Sequence, residues 1–406
     1  MSYDKKINIP QIAQTNKYNV LRCVIQEGPI NRAAIAKKIG LSIPTVMAAI
    51  NDLVEKKALR GAGRTGNGIG KPAPLLEIIP DCFFYIGLDL GRTSIRLVVN
   101  NAAGIQTASM QEKTGDPFPE EVFVDRLCAL VKRTLGDLSI KTKHILGMGV
   151  AMPGLIENGT GQVLISPDFG WKDIPLQTWL REKLPWPVLV RNSNHALALN
   201  ENALLETEGT VTFCVNLGYG IGAALVSGGE LYTGASGTTG ELGHSVIEKG
   251  GPVCKCGNSG CLESVASGEA IARQAQTIIA HHGRSKIAEL CGGDAGRIDA
   301  RMVFEAAGAG DRPALKIIDT AAEYIGMGIC TAVNVLDPDR VVLCGGLTQN
   351  GPWFLERIQA AMEEHIMPRT GRRLAVSSGK GGEYSTAAGA SRVLLNTLWA
   401  ERALPV

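Results

Sequence analysis

One imidazole and three thiols stand close together in this chain: His244, Cys254, Cys256 and Cys261 fall within eighteen residues. Glycines between them let the backbone fold tightly around a single ion, and a donor set of one histidine and three cysteines suits tetrahedral zinc. Four protein donors leave no position for a metal-bound water. Such a zinc is a structural cofactor that staples a loop and activates no nucleophile. Unrelated buried cysteines beside a surface histidine are the plain alternative. They do not account for Cys-x-Cys-Gly-x3-Cys with a histidine ten positions upstream.

Gly240-Glu241-Leu242-Gly243-His244, followed by Cys254-Lys255-Cys256-Gly257 and Cys261-Leu262-Glu263, resembles the signature of the ROK family of bacterial sugar kinases and repressors. The resemblance covers nearly the whole chain. It implies an α/β, actin-like (ribonuclease H-like), two-lobed sugar-kinase fold with the zinc loop at 244–261. It also implies that His244, Cys254, Cys256 and Cys261 hold the zinc while Glu241, His244 and Glu263 reach a bound sugar. Met152-Pro153-Gly154 is similar to the family's Pro-Gly turn beside the sugar, which adds Gly154 to the contacts.

The segment Pro187 to Ala198 aligns without gaps onto the family's strand-to-helix segment. There Asn192 can hydrogen-bond a sugar. The next residue in the kinases is an aspartate that takes the proton from the attacking hydroxyl, and here it is Ser193. A serine hydroxyl cannot act as a general base near neutral pH, and losing positioned base catalysis costs ~10² to 10⁴ in rate. His195 is close enough to be considered as a substitute, but a lone histidine at a helix start reads as structural. The sequence therefore assigns no catalytic residue.

Two glycine hairpins resemble the phosphate loops of the actin-like ATPases. Asp89-Leu90-Gly91-Arg92-Thr93 interrupts a β-prone run, and its acid would help position a nucleotide's magnesium, although an Asp-x-Gly hairpin is also plain turn chemistry. Gly218-Tyr219-Gly220-Ile221-Gly222 carries a tyrosine where the family has a small hydroxyl residue. Its glycines suit a strand connector that binds no ATP. Arg340 to Leu347 reads as a buried strand ending in the Gly-Gly turn that in the family faces adenosine.

The elements that must carry these residues are legible in outline. A chain of 406 residues with forty-nine glycines and 45% hydrophobic content fits an α/β protein with many tight turns. No run of eighteen apolar residues occurs, and MSYDKKINIP lacks a signal-peptide core, so the expectation is a cytoplasmic protein with no membrane partner. Seven of the ten cysteines are scattered, mostly in apolar runs, and no disulfide is expected. The two glycine hairpins near 83 and 211 suggest duplicated halves.

Charge divides the chain. Residues 1–80 carry twelve Lys/Arg and five Asp/Glu, a net +7, whereas 81–406 carry −5. A basic head on an acidic body points to a polyanion partner, with a solvated basic face as the bland alternative. Residues 15–26 have helical apolar spacing and stop at Glu27-Gly28-Pro29. Asn31 can cap a second helix that ends at Gly40, and Ser42 a third with Val46, Ile50 and Leu53 or Val54 as its apolar stripe and Ala49 off it. Small or polar residues early in that helix suit a major groove, so Ser42, Thr45 and Ala48 are DNA candidates. The glycine-rich, basic stretch 59–72 reads as a wing, with Arg64 and Lys71 free to reach phosphates or the minor groove.

The expectation is a winged helix-turn-helix domain over 1–80 and a ROK body over 81–406. The resemblance is to the family's repressors of N-acetylglucosamine, xylose and glucose regulons. It implies a repressor of sugar-utilisation genes, no longer an enzyme, whose body senses a monosaccharide or sugar phosphate. Operator half-sites call for a homodimer or dimer of dimers, and the resemblance leaves a sugar-transport protein as a further partner. An ATP-dependent sugar kinase with a DNA-binding head is the alternative.

Overall fold

The structure, a computed structural model, describes residues 9–64, 73–115, 119–205, 209–282, 285–368 and 374–402. Its N-terminal part holds α1 (Ile9–Glu27), β1 (Ile30–Asn31), α2 (Arg32–Ile39), α3 (Ile43–Glu55), β2 (Leu59–Arg64) and β3 (Pro74–Ile78). Asn31 Oδ1 accepts the Ala34 N–H at 2.9 Å and so caps α2, and Gly40 closes it at φ +67°. The chain turns through 115° between α2 and α3, within the range of a helix-turn-helix. Val46, Ile50 and Leu53 are buried and Val54 is exposed. Ala49, expected off the stripe, is buried as well, because 46, 49, 50 and 53 follow the i, i+3, i+4, i+7 spacing of one helix face. A sheet of order β1-β3-β2 completes the winged unit.

The first lobe follows: β4 (Phe84–Leu90), β5 (Ser94–Asn101), β6 (Gln106–Lys113), α4 (Glu120–Asp137), β7 (Ile145–Met152), β8 (Leu155–Ile156), β9 (Val163–Ser166), β10 (Trp171–Ile174), α5 (Leu176–Lys183), β11 (Val188–Asn192) and α6 (Ser193–Leu204). The second lobe holds β12 (Val211–Leu217), β13 (Ile221–Ser227), β14 (Glu230–Tyr232), α7 (Leu262–Ala266), α8 (Gly268–His282), α9 (Lys286–Leu290), α10 (Ala300–Gly308), α11 (Arg312–Leu336), β15 (Arg340–Cys344), α12 (Pro352–His365) and β16 (Ala375–Ser378). Helix α13 (Ser385–Ala400) is the last element among the described residues.

The two large sheets have orders β11-β7-β4-β5-β6 and β14-β13-β12-β15-β16. In each, an antiparallel three-strand meander is extended by two parallel strands, β7 and β11 in one and β15 and β16 in the other. The duplication suggested by two hairpins thus extends to both whole sheets. Each has its own apolar core.

Helices α6 and α13 pack together along the body's interior. A Cβ added at Gly389 would fall 1.8 Å from Ala196 O, so only glycine permits that approach. Gly87 and Gly149 do the same for the sheet, where an added Cβ would come within 1.9 Å of the α13 carbonyls of Ala387 and Ala390. The head is not a separate ball: its buried Tyr18, Leu21 and Val24 share one apolar cluster with Leu146, Leu189, Leu394 and Leu398 of the body.

Candidate functional site

The metal-type cluster is built by three turns. His244 ends a single 3-10 turn (Leu242–His244), and Gly243 there is so close to Ile221 that an added Cβ would lie 2.1 Å from its carbonyl. Cys254 heads a tight turn in which its N–H donates to Asn258 O at 2.7 Å and its carbonyl accepts from Gly257 at 3.0 Å. Cys261, fully buried, leads into α7. One ligand atom from each of His244, Cys254, Cys256 and Cys261 lies within 4.8 Å of all the others. Cys256 Sγ and Cys261 Sγ are 3.7 Å apart, and Cys254 Sγ is 3.6 Å from His244 Nδ1. Tetrahedral zinc with Zn–S of ~2.3 Å separates its sulfurs by roughly 3.8 Å, so the donors fit one ion.

His244 has two faces. With Nδ1 toward the thiols, its Nε2 faces Glu241, whose Oε2 stands 3.7 Å away, beyond hydrogen-bond reach. Glu263, at the start of α7, turns its Oε2 to accept the Ile221 N–H at 2.9 Å. Burial in the recess holds the carboxyls of both Glu241 and Glu263 above the usual range.

Asn192 and Gly154 meet directly. Asn192 Nδ2 donates to Gly154 O at 2.9 Å, and Gly154 itself has φ +114° with no room for a Cβ, which would lie 2.3 Å from Ile165 O. Asn192 Oδ1 caps α6 by accepting from Asn194 N (2.8 Å) and His195 N (3.2 Å). Its side chain is therefore mostly committed to structure, and one amide hydrogen is left for a ligand. Ser193, half-buried, is the first residue of α6. His195 is buried, its Nε2 lies 3.2 Å from Thr239 O, and burial lowers its pKa, so it holds the turn as a neutral ring. That contact ties the Asn192 turn to the segment running into Glu241.

Both glycine hairpins have the expected strand-turn-strand form. Asp89 is buried with Arg96 Nη1 at 3.7 Å, and burial pushes its carboxyl up to about 7. In the second hairpin the Gly218 N–H donates to Gly220 O at 3.0 Å while Ile221 N is taken by Glu263. Tyr219 Oη donates to Glu269 Oε1 at 2.8 Å, and the Lys255 ammonium sits 5.0 Å above the tyrosine ring. The loop is thus bonded to its own chain.

In the head, Ser42 Oγ accepts the Thr45 N–H at 3.3 Å and the two hydroxyls are 2.8 Å apart. Ser42 and Ala48 are exposed, Thr45 is half-buried, and Arg64 is exposed at the end of β2. Lys71 lies outside the described residues. Lys17 Nζ reaches Asp52 Oδ2 at 2.9 Å and fixes α1 against α3.

Sequence reading missed Asp168, Lys255 and Glu269, which gather beside the Glu263–Tyr219 region. The position of Lys255 between two cysteines was the available signal. Nothing in the Pro-Asp-Phe-Gly turn marked Asp168.

Comparison with known proteins identifies the family and the fold. The model described as ROK family matches residues 85–397, and one described as winged helix-turn-helix DNA-binding matches residues 14–57. The chain is 32% identical over 358 residues to a putative xylose repressor of Caldicellulosiruptor sp. (strain Rt8B.4), covering 86% of this chain and 87% of the relative. It is 34% identical over 289 residues to a glucokinase of Halalkalibacterium halodurans, covering 70% of this chain and 87% of that enzyme. Among solved structures, a ROK family transcriptional regulator, a homolog of the E. coli MLC protein, superposes with a TM-score of 0.79 at 23% identity, over 96% of this chain and 98% of that one, and so shares the fold. The extent of the family match, together with the identity to both relatives, leaves one conclusion: this chain belongs to the ROK family.

Proposed function

We propose that the protein is a sugar-responsive, DNA-binding transcriptional repressor whose kinase-type body no longer phosphorylates sugar. The observation that carries this reading is the shared apolar core of head and body, in which α1 packs on α13 and α13 packs on α6, the helix that Asn192 caps. On this reading residues 1–80 are the DNA-binding head and 81–406 the sensor. Ser42, Thr45 and Ala48 meet base edges, while Arg64 and Lys71 meet phosphates.

The sugar lies between the lobes, with Gly154, Asn192, Glu241, His244 and Glu263 as its contacts. Carboxylates accept from paired hydroxyls, and the remaining Asn192 N–H donates to a ring or hydroxyl oxygen. A bound structural zinc supplies a cross-link for the loop that carries Glu241 and Glu263. His244, Cys254, Cys256 and Cys261 hold it, and their four donors fill its shell. A ligand that changes operator affinity a hundredfold must distinguish the two lobe arrangements by about 2.7 kcal/mol. Paired operator half-sites require a symmetric homodimer or dimer of dimers, working in the cytoplasm. The glucokinase relative favours a second reading, residual ATP-dependent sugar kinase activity, which Ser193 opposes.

The test selects duplexes from a random library with the full-length protein and repeats binding with glucose, xylose and N-acetylglucosamine. A discrete consensus whose affinity shifts at least tenfold with one sugar is expected. Binding that ignores sequence overturns the regulator reading, and sugar-dependent ATP turnover overturns the loss of kinase activity.

A further inference from the structure

Outside the residues already assigned, one charge pair among the described residues spans the two lobes. Asp168 belongs to the first lobe, in the turn between β9 and β10. It stands two residues past Ser166, whose Oγ donates to Pro153 O at 2.7 Å beside Gly154. Lys255 belongs to the second lobe and sits in the metal loop between Cys254 and Cys256. Its ammonium is held from behind by Glu269 Oε2 at 2.7 Å and by the Tyr219 ring. One of its three donors is spent on Glu269, leaving two.

The Lys255 Nζ to Asp168 Oδ1 separation is 4.0 Å. This is too long for a hydrogen bond, which closes at about 2.7–3.2 Å. The two charges are anchored on opposite sides and do not touch. A hydroxyl group placed between them satisfies both, because its oxygen accepts from the ammonium while its proton goes to the carboxylate. A phosphate dianion has no proton to give Asp168 and would bring its own negative charge beside that carboxylate.

The geometry points to Asp168 and Lys255 as a two-sided contact for one hydroxyl of an uncharged monosaccharide, at the same cleft and resting on the sensor reading above. Lys255 is carried by the metal loop and Asp168 by the opposite lobe, so a hydroxyl bridging them binds the closed arrangement better than an open one. That differential contact is what a ligand needs to shift an equilibrium. Asp168, by its own charge, also selects against a phosphate at this position.

The test is isothermal titration of the full-length, zinc-loaded protein with glucose, xylose, N-acetylglucosamine and the 6-phosphates of glucose and N-acetylglucosamine. Asp168→Ala, Lys255→Met and the double variant are compared with Glu241→Gln, and zinc content and melting temperature confirm that each is folded and loaded. The expected result is an uncharged sugar bound by the wild type, about 10- to 100-fold weaker in each single variant, with the double variant no weaker than the worse single. Unchanged affinity in Asp168→Ala and Lys255→Met while Glu241→Gln loses binding overturns this contact and leaves the sensor reading intact. A 6-phosphate bound tenfold tighter than its parent sugar overturns the ligand class. No binding by the wild type itself removes the sensor reading and this contact together.

Discussion

The ring of Tyr18, in the first helix of the head, stands edge-on to the indole of Trp399, in the last helix of the body, with centroids 6.2 Å apart and planes at 88°. Trp399 is near the far end of α13, and the same helix lies against α6, whose first turn carries Asn192 and Ser193. Close approaches at Gly87, Gly149 and Gly389 join α13 to the first sheet and to α6. On the proposed sensor reading, a displacement of the Asn192 turn is passed to the head through α13.

Trp399→Ala removes the edge-to-face contact without touching the cleft. Operator affinity without sugar should stay within about threefold, while the change in affinity caused by sugar should shrink by at least about fivefold. Fluorescence anisotropy of labelled operator with and without the sugar measures both. A variant that still responds like the wild type would show that the signal travels by another route.

Cys256 is the exposed member of the metal cluster, so Cys256→Ser costs little packing and reports the loss of a ligand. Zinc content should fall below one per chain and melting should drop by roughly 5 °C or more. Sugar binding should weaken, because Glu241 and Glu263 flank the same loop, while operator affinity at room temperature should change least. Full zinc retention with an unchanged sugar response would contradict a structural role for the ion.

Asp89 gives a pH signature. Burial is the dominant cause of its shift and Arg96 only partly offsets it, which brings the carboxyl to about 7 in the folded chain against ~3.9 when unfolded. Between these values the folded state holds a proton that the unfolded state has released. Stability therefore falls as pH rises through this window, and the whole cost is present above about pH 7. Asp89→Asn removes the titration. It should be more stable than wild type at about pH 8, by at most ~4 kcal/mol, with the gap closing toward about pH 4. Urea melts at the two ends of the window measure it, and a gap independent of pH would mean that Asp89 does not titrate there.

The sequence was most informative where a residue type has one good use. Asn31, Gly40 and Ser42 mark helix ends in the chain itself, and the structure puts their caps there. The ligand spacing of His244 to Cys261 announced a metal cluster because few other arrangements need three thiols so close. What remained hidden depends on segments far apart in the chain. Asp168 and Lys255 are 87 positions apart, and only the lobe arrangement brings them to 4.0 Å. Nothing in the sequence marks Trp399, since its partner Tyr18 is near the opposite end of the chain. Ala49 was misplaced for a smaller reason: alanine gives no hydrophobic signal strong enough to mark a face by itself.

Ser193→Asp tests whether the missing base alone silences the kinase chemistry. The substitution is structurally mild, because Ser193 is the first residue of α6 and a carboxylate in the first turn of a helix is favoured by its dipole. It restores a base one residue after Asn192, where positioned base catalysis contributes ~10² to 10⁴ in rate. The second glycine hairpin, however, remains bonded to its own chain: Gly218 N to Gly220 O, Ile221 N to Glu263, and Tyr219 to Glu269. A phosphate would have to displace the Glu263 carboxylate from that amide and approach past the tyrosine ring. The expected result is therefore less than a tenfold rise in sugar-dependent ADP release for Ser193→Asp, measured with a coupled assay against glucose, xylose and N-acetylglucosamine. Adding Tyr219→Thr should raise it further only if the hairpin opens. A rise of a hundredfold or more from Ser193→Asp alone would mean that the hairpin still accepts a nucleotide and that the loss of activity lies at one side chain.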